Sequence, residues 1–201
     1  QTVTSDTGTW MMQQETTTSL LPDTFTYQWQ ARADALSWAD ISGATSRIRL
    51  GTNIYILPLR HPLVTARLVT TLDVLSGGRL SLGIGVGWCR EEFEAIGAAP
   101  FDDRGAVTDE WMAACQELWT ADEPKFAGKY VKFDDVVFTP KPAQNPIPIW
   151  VGGESAPALR RTVKYAQGWY PVGTNPAHPM NTVSRFKSGL ARFRSRRLND
   201  A

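Results

Sequence analysis

A turn that could bind an anion follows one apolar stretch of the sequence, at Val151-Gly-Gly-Glu-Ser155. Glycines let a ligand approach the backbone closely, and the N–H groups of a first helical turn attract negative charge. We therefore predict that Gly152, Gly153, Glu154 and Ser155 form a cradle for a phosphate. A tight strand-to-helix turn in which Ser155 caps the helix explains the same residues without a ligand, so both interpretations stay open.

A second glycine pattern, Gly83-Ile-Gly-Val-Gly87, occupies another apolar stretch. It lacks the third glycine in register and the acidic residue that a dinucleotide-binding fingerprint needs. Glycines at alternate positions of a strand leave one face without side chains, which makes room for a flat ring against the backbone. Close packing against neighbouring strands explains the pattern equally well.

Two polar residues lie next to these patterns. Asn53 interrupts the apolar strand predicted around Gly51-Thr-Asn-Ile54, and a polar group there can mark a bulge at a ligand wall. Glu91 follows the glycine-rich strand and could line the mouth of a pocket, although an acidic residue in a first helical turn also suits the helix dipole.

The acid–base inventory is small. His61 directly precedes Pro62, and we interpret it as a helix-capping residue rather than a base. Cys89 and Cys115 are the two cysteines; they are too few for a disulfide framework and have no metal-ligand spacing. We predict no metal site, assign no catalytic residue and expect a reducing, cytoplasmic environment.

The composition limits the possible partners. The 201 residues carry a formal net charge of +1, which gives no field that would favour nucleic acid or a membrane surface. No apolar run approaches the roughly 20 residues of a membrane helix. A small-molecule substrate is the class of ligand that remains.

Apolar strands alternate with amphipathic helices along most of the chain, which is typical of a parallel sheet covered by helices. We predict one α/β domain over 1–201, with about four β/α units and an inserted hairpin. Its segments are a long loop at 1–32, a helix near 33–42 within β/α units at 33–123, the hairpin at 124–145, and further β/α units at 146–201.

Taken in order, the motifs of the chain resemble those of the luciferase-like monooxygenase superfamily, and most closely its F420-dependent actinobacterial branch. The resemblance covers roughly 33–185. The motifs are Arg49-Leu-Gly-Thr52, Leu57-Pro, His61-Pro62, Leu72-Asp-Val-Leu-Ser-Gly-Gly-Arg79, Leu82-Gly-Ile-Gly-Val-Gly-Trp88, Glu92-Phe93, Arg104 and Pro148-Ile-Trp-Val-Gly-Gly153.

This resemblance implies a TIM (β/α)8-type barrel that holds a flavin, or the deazaflavin F420, at the carboxyl ends of its strands. It implies a non-proline cis peptide between Asn53 and Ile54 that supports the ring. Gly85, Val86 and Gly87 would flank the cofactor. Trp88 and Glu91 would lie towards the substrate pocket.

Two departures separate the chain from the family pattern. The acidic-His pair that ends the second strand of some members has no counterpart, and Trp88 stands where the related sugar-phosphate dehydrogenases carry an acid. Strands at both ends of the barrel are also absent, so the barrel is incomplete within this chain. We expect the remaining strands to lie in omitted segments or to come from another chain, as in a homodimer or higher homo-oligomer.

The leading hypothesis is hydride transfer between coenzyme F420 and a small organic substrate. An FMN-dependent monooxygenase, which activates oxygen, is the near alternative. A non-catalytic half-barrel that serves binding or assembly is the alternative from another class. The absent acidic-His pair favours this last interpretation, whereas the phosphate cradle favours an enzyme.

Overall fold

A computed structural model describes the chain in several stretches. The backbone is described for four short strands between residues 3 and 29, for 46–173 and for 175–199. Side chains are described over 46–195, except at 174. Contacts between Cα atoms divide the chain into two compact units, Gln1–Asp40 and Ile41–Ala201. A single domain over 1–201 stays a prediction.

The first unit contains two antiparallel pairs of strands. Strand β1 (Val3–Ser5) pairs with β2 (Gly8–Trp10), and β3 (Met12–Thr16) pairs with β4 (Phe25–Trp29). The prediction of a long loop over 1–32 is therefore wrong for these strands. Threonine and aromatic residues favour strands even where no clear alternation marks them. The helix predicted near 33–42 lies outside the described residues.

The second unit is built on a parallel sheet, as the alternation of strands and helices predicts. Its strand order is β11-β10-β7-β5, and β6 also pairs with β7. These pairs are all parallel. The strands are β5 (Leu50–Gly51), β6 (Tyr55–Ile56), β7 (Leu80–Gly85), β10 (Ile149–Gly152) and β11 (Gly168–Tyr170).

The helices of the second unit follow the strands in the predicted order. They are α1 (Pro62–Leu75), α2 (Arg90–Ala95), α3 (Arg104–Thr120), α4 (Ala156–Tyr165) and α5 (Val183–Asn199), with 3-10 turns at Leu57–Leu59 and Phe101–Asp103. Helix α1 shows how local chemistry sets these bounds. The side chain of His61 accepts a hydrogen bond from the N–H of Leu63, which confirms it as the cap. Gly77 and Gly78 end the helix at positive φ, 65° and 76°.

One face of the sheet forms the core. Leu80, Leu82 and Ile84 of β7 alternate with Ser81, Gly83 and Gly85, and the three aliphatic side chains belong to the core cluster with residues of α1 and α3. Because neighbouring side chains of a strand point to opposite faces, the glycines lie on the other face. The two faces of β7 therefore differ sharply in side-chain volume.

The predicted insertion contains a hairpin of β8 (Phe126–Ala127) and β9 (Lys132–Phe133). The carboxylate of Glu110 on α3 accepts hydrogen bonds from the N–H groups of Lys129, Tyr130 and Val131 and so fixes the turn. The apolar run 136–138 forms no strand, so the predicted hairpin is confirmed only over its first part.

Within the described part of the chain, no helix has both the length and the apolar character needed to cross a bilayer.

Candidate cofactor site

The two glycine patterns meet at one edge of the sheet. Strands β7 and β10 are adjacent and parallel, with Val151 opposite Ile84, so their carboxyl ends lie side by side. We name the turn that leaves β7, residues 86–89, the first exit. We name the turn that leaves β10, residues 153–155, the second exit. Ligands of open parallel sheets bind outside this edge.

The second exit leads directly into the ten-residue helix α4. Gly153 adopts φ +107°, which is accessible to glycine but rare for other residues. The Oγ atom of Ser155 accepts a hydrogen bond from the N–H of Ala158 at 3.3 Å, so the predicted N-cap is confirmed. The N–H of Gly153 donates to the protein's own Tyr170 carbonyl and is not free for a phosphate. Among the described residues, none accepts a hydrogen bond from the backbone N–H groups of Glu154, Ser155 and Ala156, and from here on the name cradle means these three groups.

The side chain of Glu154 turns into the protein. It is 1% exposed, and its Oε1 atom accepts a hydrogen bond from the N–H of Gly173 at 2.8 Å. Its Oε2 atom is buried without a hydrogen-bond partner in the described structure. A carboxylate would repel a phosphate, so Glu154 can serve an anion only through its backbone N–H, while its side chain ties the second exit to the segment after β11.

The bare face of the glycine-rich strand is filled by protein rather than left open. A Cβ atom on Gly83 would lie 2.0 Å from the carbonyl oxygen of Thr52, and one on Gly85 would lie 2.7 Å from Cγ2 of Ile54. One on Gly152 would lie 2.3 Å from Cδ1 of Ile54. The close-packing interpretation is thus confirmed at these glycines. A flat ring cannot lie against them where Thr52 and Ile54 already do.

The segment that fills this face joins β5 to β6. Its Asn53–Ile54 peptide is cis, which confirms the position implied by the family resemblance. The Oγ1 atom of Thr52 donates a hydrogen bond to the carbonyl of Gly83 at 2.8 Å. The Nδ2 atom of Asn53 donates to the hydroxyl oxygen of Tyr170 at 3.0 Å. The strand predicted around Gly51–Ile54 is interrupted here, between β5 and β6.

Tyr170 joins this segment to the second exit. Its side chain accepts from Asn53, and its backbone carbonyl accepts a hydrogen bond from the N–H of Gly153 at 3.2 Å. The structure therefore brings Asn53, Ile54, Gly152 and Gly153 together, although almost 100 residues of sequence separate the two pairs.

The first exit is packed against other side chains of the protein. Gly87 has φ +80°, and a Cβ atom there would lie 2.8 Å from the ring of Phe93. The Nε atom of Arg104 donates to the carbonyl of Gly87 at 3.2 Å, while its guanidinium lies 3.9 Å from the ring centroid of Phe101. Trp88 is 85% exposed. Val86, beside it, is half-buried.

Glu91 lies in the six-residue helix α2 and is exposed. The Sγ–H of Cys89 donates to its carboxylate at 3.2 Å. The pKa of Glu91 is lowered, first by a hydrogen bond from its own backbone N–H and then by the Cys89 contact. Trp88 and Glu91 thus lie at the carboxyl edge of the sheet, and both side chains are exposed. A substrate pocket that encloses them stays a prediction.

Sequence reasoning missed Trp169, Tyr170 and Gly173, which bond to the second exit. The one signal available was their position at the end of a predicted strand, where ligand-binding residues of parallel sheets gather. In the described part of the chain no group of three His, Cys, Asp or Glu side chains could hold a metal ion.

Comparison with known proteins agrees with this geometry. The sequence pattern of the luciferase-like monooxygenases matches residues 19–199. An uncharacterized protein of Mycobacterium tuberculosis is 35% identical over 149 residues, which are 74% of this chain and 51% of that protein. An FMNH2-dependent dimethylsulfone monooxygenase of Pseudomonas putida is 33% identical over 116 residues, 57% of this chain and 32% of that protein.

A solved structure has the same fold. The coenzyme F420-dependent tetrahydromethanopterin reductase of Methanopyrus kandleri aligns with a TM-score of 0.56 and 25% identity, over 78% of this chain and 49% of that chain. The present chain spans about half the length of the mycobacterial relative, and its α/β fold is an incomplete luciferase-like TIM barrel. The chain belongs to the luciferase-like monooxygenase family.

Proposed function

We propose that this chain binds coenzyme F420 through its phosphate and supports hydride transfer between that cofactor and a small organic substrate. The observation that carries the proposal is the cradle, whose three N–H groups have no acceptor among the described residues and lie at the carboxyl edge of a parallel sheet. Such N–H groups stabilise an anion directly and through the dipole of the helix behind them.

The residues of the chain position the cofactor and the substrate and provide the partial charges that stabilise the phosphate. When bound, F420 would supply the acceptor or donor of the hydride, and FMN could instead activate oxygen. The cradle and the hydroxyl of Ser155 hold the phosphate. Ile54 forms an apolar wall over Gly85 of β7 and Gly152 of β10, and Val86 and Gly87 follow at the first exit. Trp88 and Glu91 line the approach of the substrate.

The choice of F420 over FMN rests on likeness. The ordered motifs resemble the F420-dependent branch. The F420-dependent reductase of M. kandleri, which aligns over 78% of this chain, supports the same cofactor. The FMNH2-dependent relative supports FMN as the second candidate. Both cofactors carry a phosphate, so the cradle serves either one.

A non-catalytic half-barrel is the second candidate function. It is favoured by the missing acidic-His pair and by a sheet whose edge strands, β5 and β11, have only one neighbour each among the described strands. We propose that further strands complete the barrel, from a longer protein or from a second copy in a homo-oligomer.

The test removes one cradle donor without removing the helix. Proline is tolerated at the first position of a helix and has no N–H, and Ser155 before it already has the extended backbone (φ −66°, ψ 156°) that proline requires of its neighbour. We expect Ala156→Pro to weaken the binding of F420 or FMN by about tenfold or more, since a hydrogen bond to a charged group contributes about 1.5–3 kcal/mol.

The measurement is fluorescence or absorbance titration of the purified chain with each cofactor. Ala156→Ser keeps the N–H and serves as the matched control, with an affinity within about twofold of the original chain. Tighter binding of FMN than of F420 would replace the leading cofactor by the alternative. If neither cofactor binds the original chain, the half-barrel function is favoured instead.

A further inference from the structure

Trp169, in strand β11, reaches back to the second exit. Its indole Nε1–H donates a hydrogen bond to the carbonyl oxygen of Gly153 at 2.8 Å. The two residues are 16 positions apart in the sequence, and Trp169 belongs to neither of the predicted glycine patterns. Gly153 is therefore held on both sides, because its N–H donates to the carbonyl of Tyr170.

The carbonyl of Gly153 and the N–H of Glu154 belong to the same peptide group. A trans peptide is planar, so its C=O and N–H point in opposite directions and turn together. A donor that fixes the Gly153 oxygen therefore also fixes the direction of the Glu154 N–H, the first donor of the cradle. Hydrogen bonds in series polarise one another, which strengthens that donor as well.

The last helix holds the indole ring in place. Two aromatic rings of α5 stack on Trp169: Phe186 at a centroid distance of 6.4 Å and an angle of 5°, and Phe193 at 5.4 Å and 20°. Gly189, between them on α5, lies so close that an added Cβ atom would meet the Trp169 ring at 3.4 Å. The orientation of the indole N–H thus depends on how α5 packs.

We propose that Trp169 is a positioning residue of the cradle, through which helix α5 sets the affinity for the cofactor phosphate. The inference rests on the proposed function, because it assigns a role at the same site. Trp169 would not touch the reacting atoms. It would orient one backbone donor and hold it ready before the ligand arrives.

The test compares two Trp→Phe substitutions. Trp169→Phe keeps an aromatic ring for Phe186 and Phe193 and removes the N–H. Trp111→Phe is the matched control, since its indole also donates to a backbone carbonyl, that of Arg60 at 2.7 Å, away from the second exit. Affinity for F420 and FMN is measured by titration, and thermal stability by circular dichroism.

We expect Trp169→Phe to weaken cofactor binding about threefold to tenfold, the range that one hydrogen bond accounts for. Trp111→Phe should lower the melting temperature and leave affinity within about twofold. A second readout is the amide resonance of Glu154 in 15N–1H spectra. It should move in Trp169→Phe and respond less to added inorganic phosphate, and it should stay in place in Trp111→Phe.

The outcomes separate this inference from the proposed function. If the original chain binds a cofactor and Trp169→Phe binds it equally well, the positioning role is overturned and the proposed function stands. An unmoved Glu154 resonance in Trp169→Phe contradicts the role in the same way. If the original chain binds neither cofactor, both proposals fail together.

Discussion

The two exits lie side by side at one edge of the sheet, yet the helices that follow them differ. Each exit contains a glycine at positive φ, +80° at Gly87 and +107° at Gly153. The second exit continues into a ten-residue helix capped by Ser155. The first continues into a six-residue helix that has no side-chain cap.

The difference shows that a glycine after a strand does not by itself identify a ligand site. At Gly87 the missing side chain makes room for Phe93 of the same protein. At Gly153 it allows a turn whose next three N–H groups have no acceptor in the described part of the chain, while the Gly153 carbonyl and the Glu154 side chain both bond to other segments. What distinguishes the exits is the length and capping of the helix that follows, together with the bonds that fix the turn.

The largest expected effect tests how accessible the first exit is, by comparing the reactivity of its cysteine with that of a cysteine in the core. Cys89 belongs to the open first exit and is half-buried, whereas Cys115 is buried in α3. Burial raises the pKa of the Cys115 thiol to about 12. Because the thiolate is the reactive form, we expect iodoacetamide to label Cys89 about 100-fold faster than Cys115 in the folded chain at pH 8. Mass spectrometry of the labelled peptides measures the ratio.

The same shift predicts the effect of alkaline pH on stability. The pKa of Cys115 is higher in the folded than in the unfolded chain. The contribution of the neutral thiol to the free energy of unfolding is therefore complete below about pH 9 and is lost as the pH rises towards 12. Urea unfolding at pH 7 and pH 10.5 should show this loss of stability, and Cys115→Ala should show less of it.

In the iodoacetamide experiment, equal labelling of both cysteines at pH 8 would mean that the core around α3 is open to the reagent.

A smaller effect is expected from matched glycine substitutions at the two exits. Gly153→Ala and Gly87→Ala both place a side chain at positive φ, at a cost of about 1–3 kcal/mol each in unfolding free energy. We expect Gly153→Ala to weaken cofactor binding by about thirtyfold, equivalent to ~2 kcal/mol, because the cradle must reorient. Gly87→Ala should change affinity less than threefold. Titration and urea unfolding give both quantities, and equal losses of affinity would remove the distinction between the exits.

The smallest effect concerns Ser155, for which the capping and anion-binding interpretations were both open. Ser155→Ala removes the cap and should cost about 1 kcal/mol of stability, with about a threefold loss of affinity. Ser155→Asp keeps a good cap but places a negative charge beside the phosphate, so stability should hold while affinity falls. Chemical unfolding and cofactor titration distinguish these cases. Unchanged binding in Ser155→Asp would leave capping as the whole role of the residue.

Patterns local in sequence predicted much of the fold. The strand at Leu80–Gly85 and the helix at Pro62–Leu75 follow from apolar runs bounded by proline and glycine, which act within a few residues. The paired strands of the first unit were missed because their threonine and glutamine residues have no regular period. At the site, backbone features of the second exit were predictable for the same local reason.

Contacts between distant residues could not be predicted in this way. The contact of Ile54 with Gly152 and the bond from Trp169 to Gly153 depend on the register of neighbouring strands, which no local pattern encodes. The direction of the Glu154 side chain likewise depends on Gly173, in a different loop. Local patterns therefore predicted the residues of the candidate site, whereas the structure shows which distant residues contact them.

The packing of Ile54 against glycines of two neighbouring strands has a consequence for how the protein can change. One aliphatic side chain occupies the volume that Gly85 and Gly152 leave free, so the three positions behave as a single unit under mutation. Enlarging either glycine alone forces a collision, and trimming Ile54 alone leaves a void. We expect substitutions here to be epistatic, since a larger residue at Gly152 should be better tolerated once Ile54 has been made smaller.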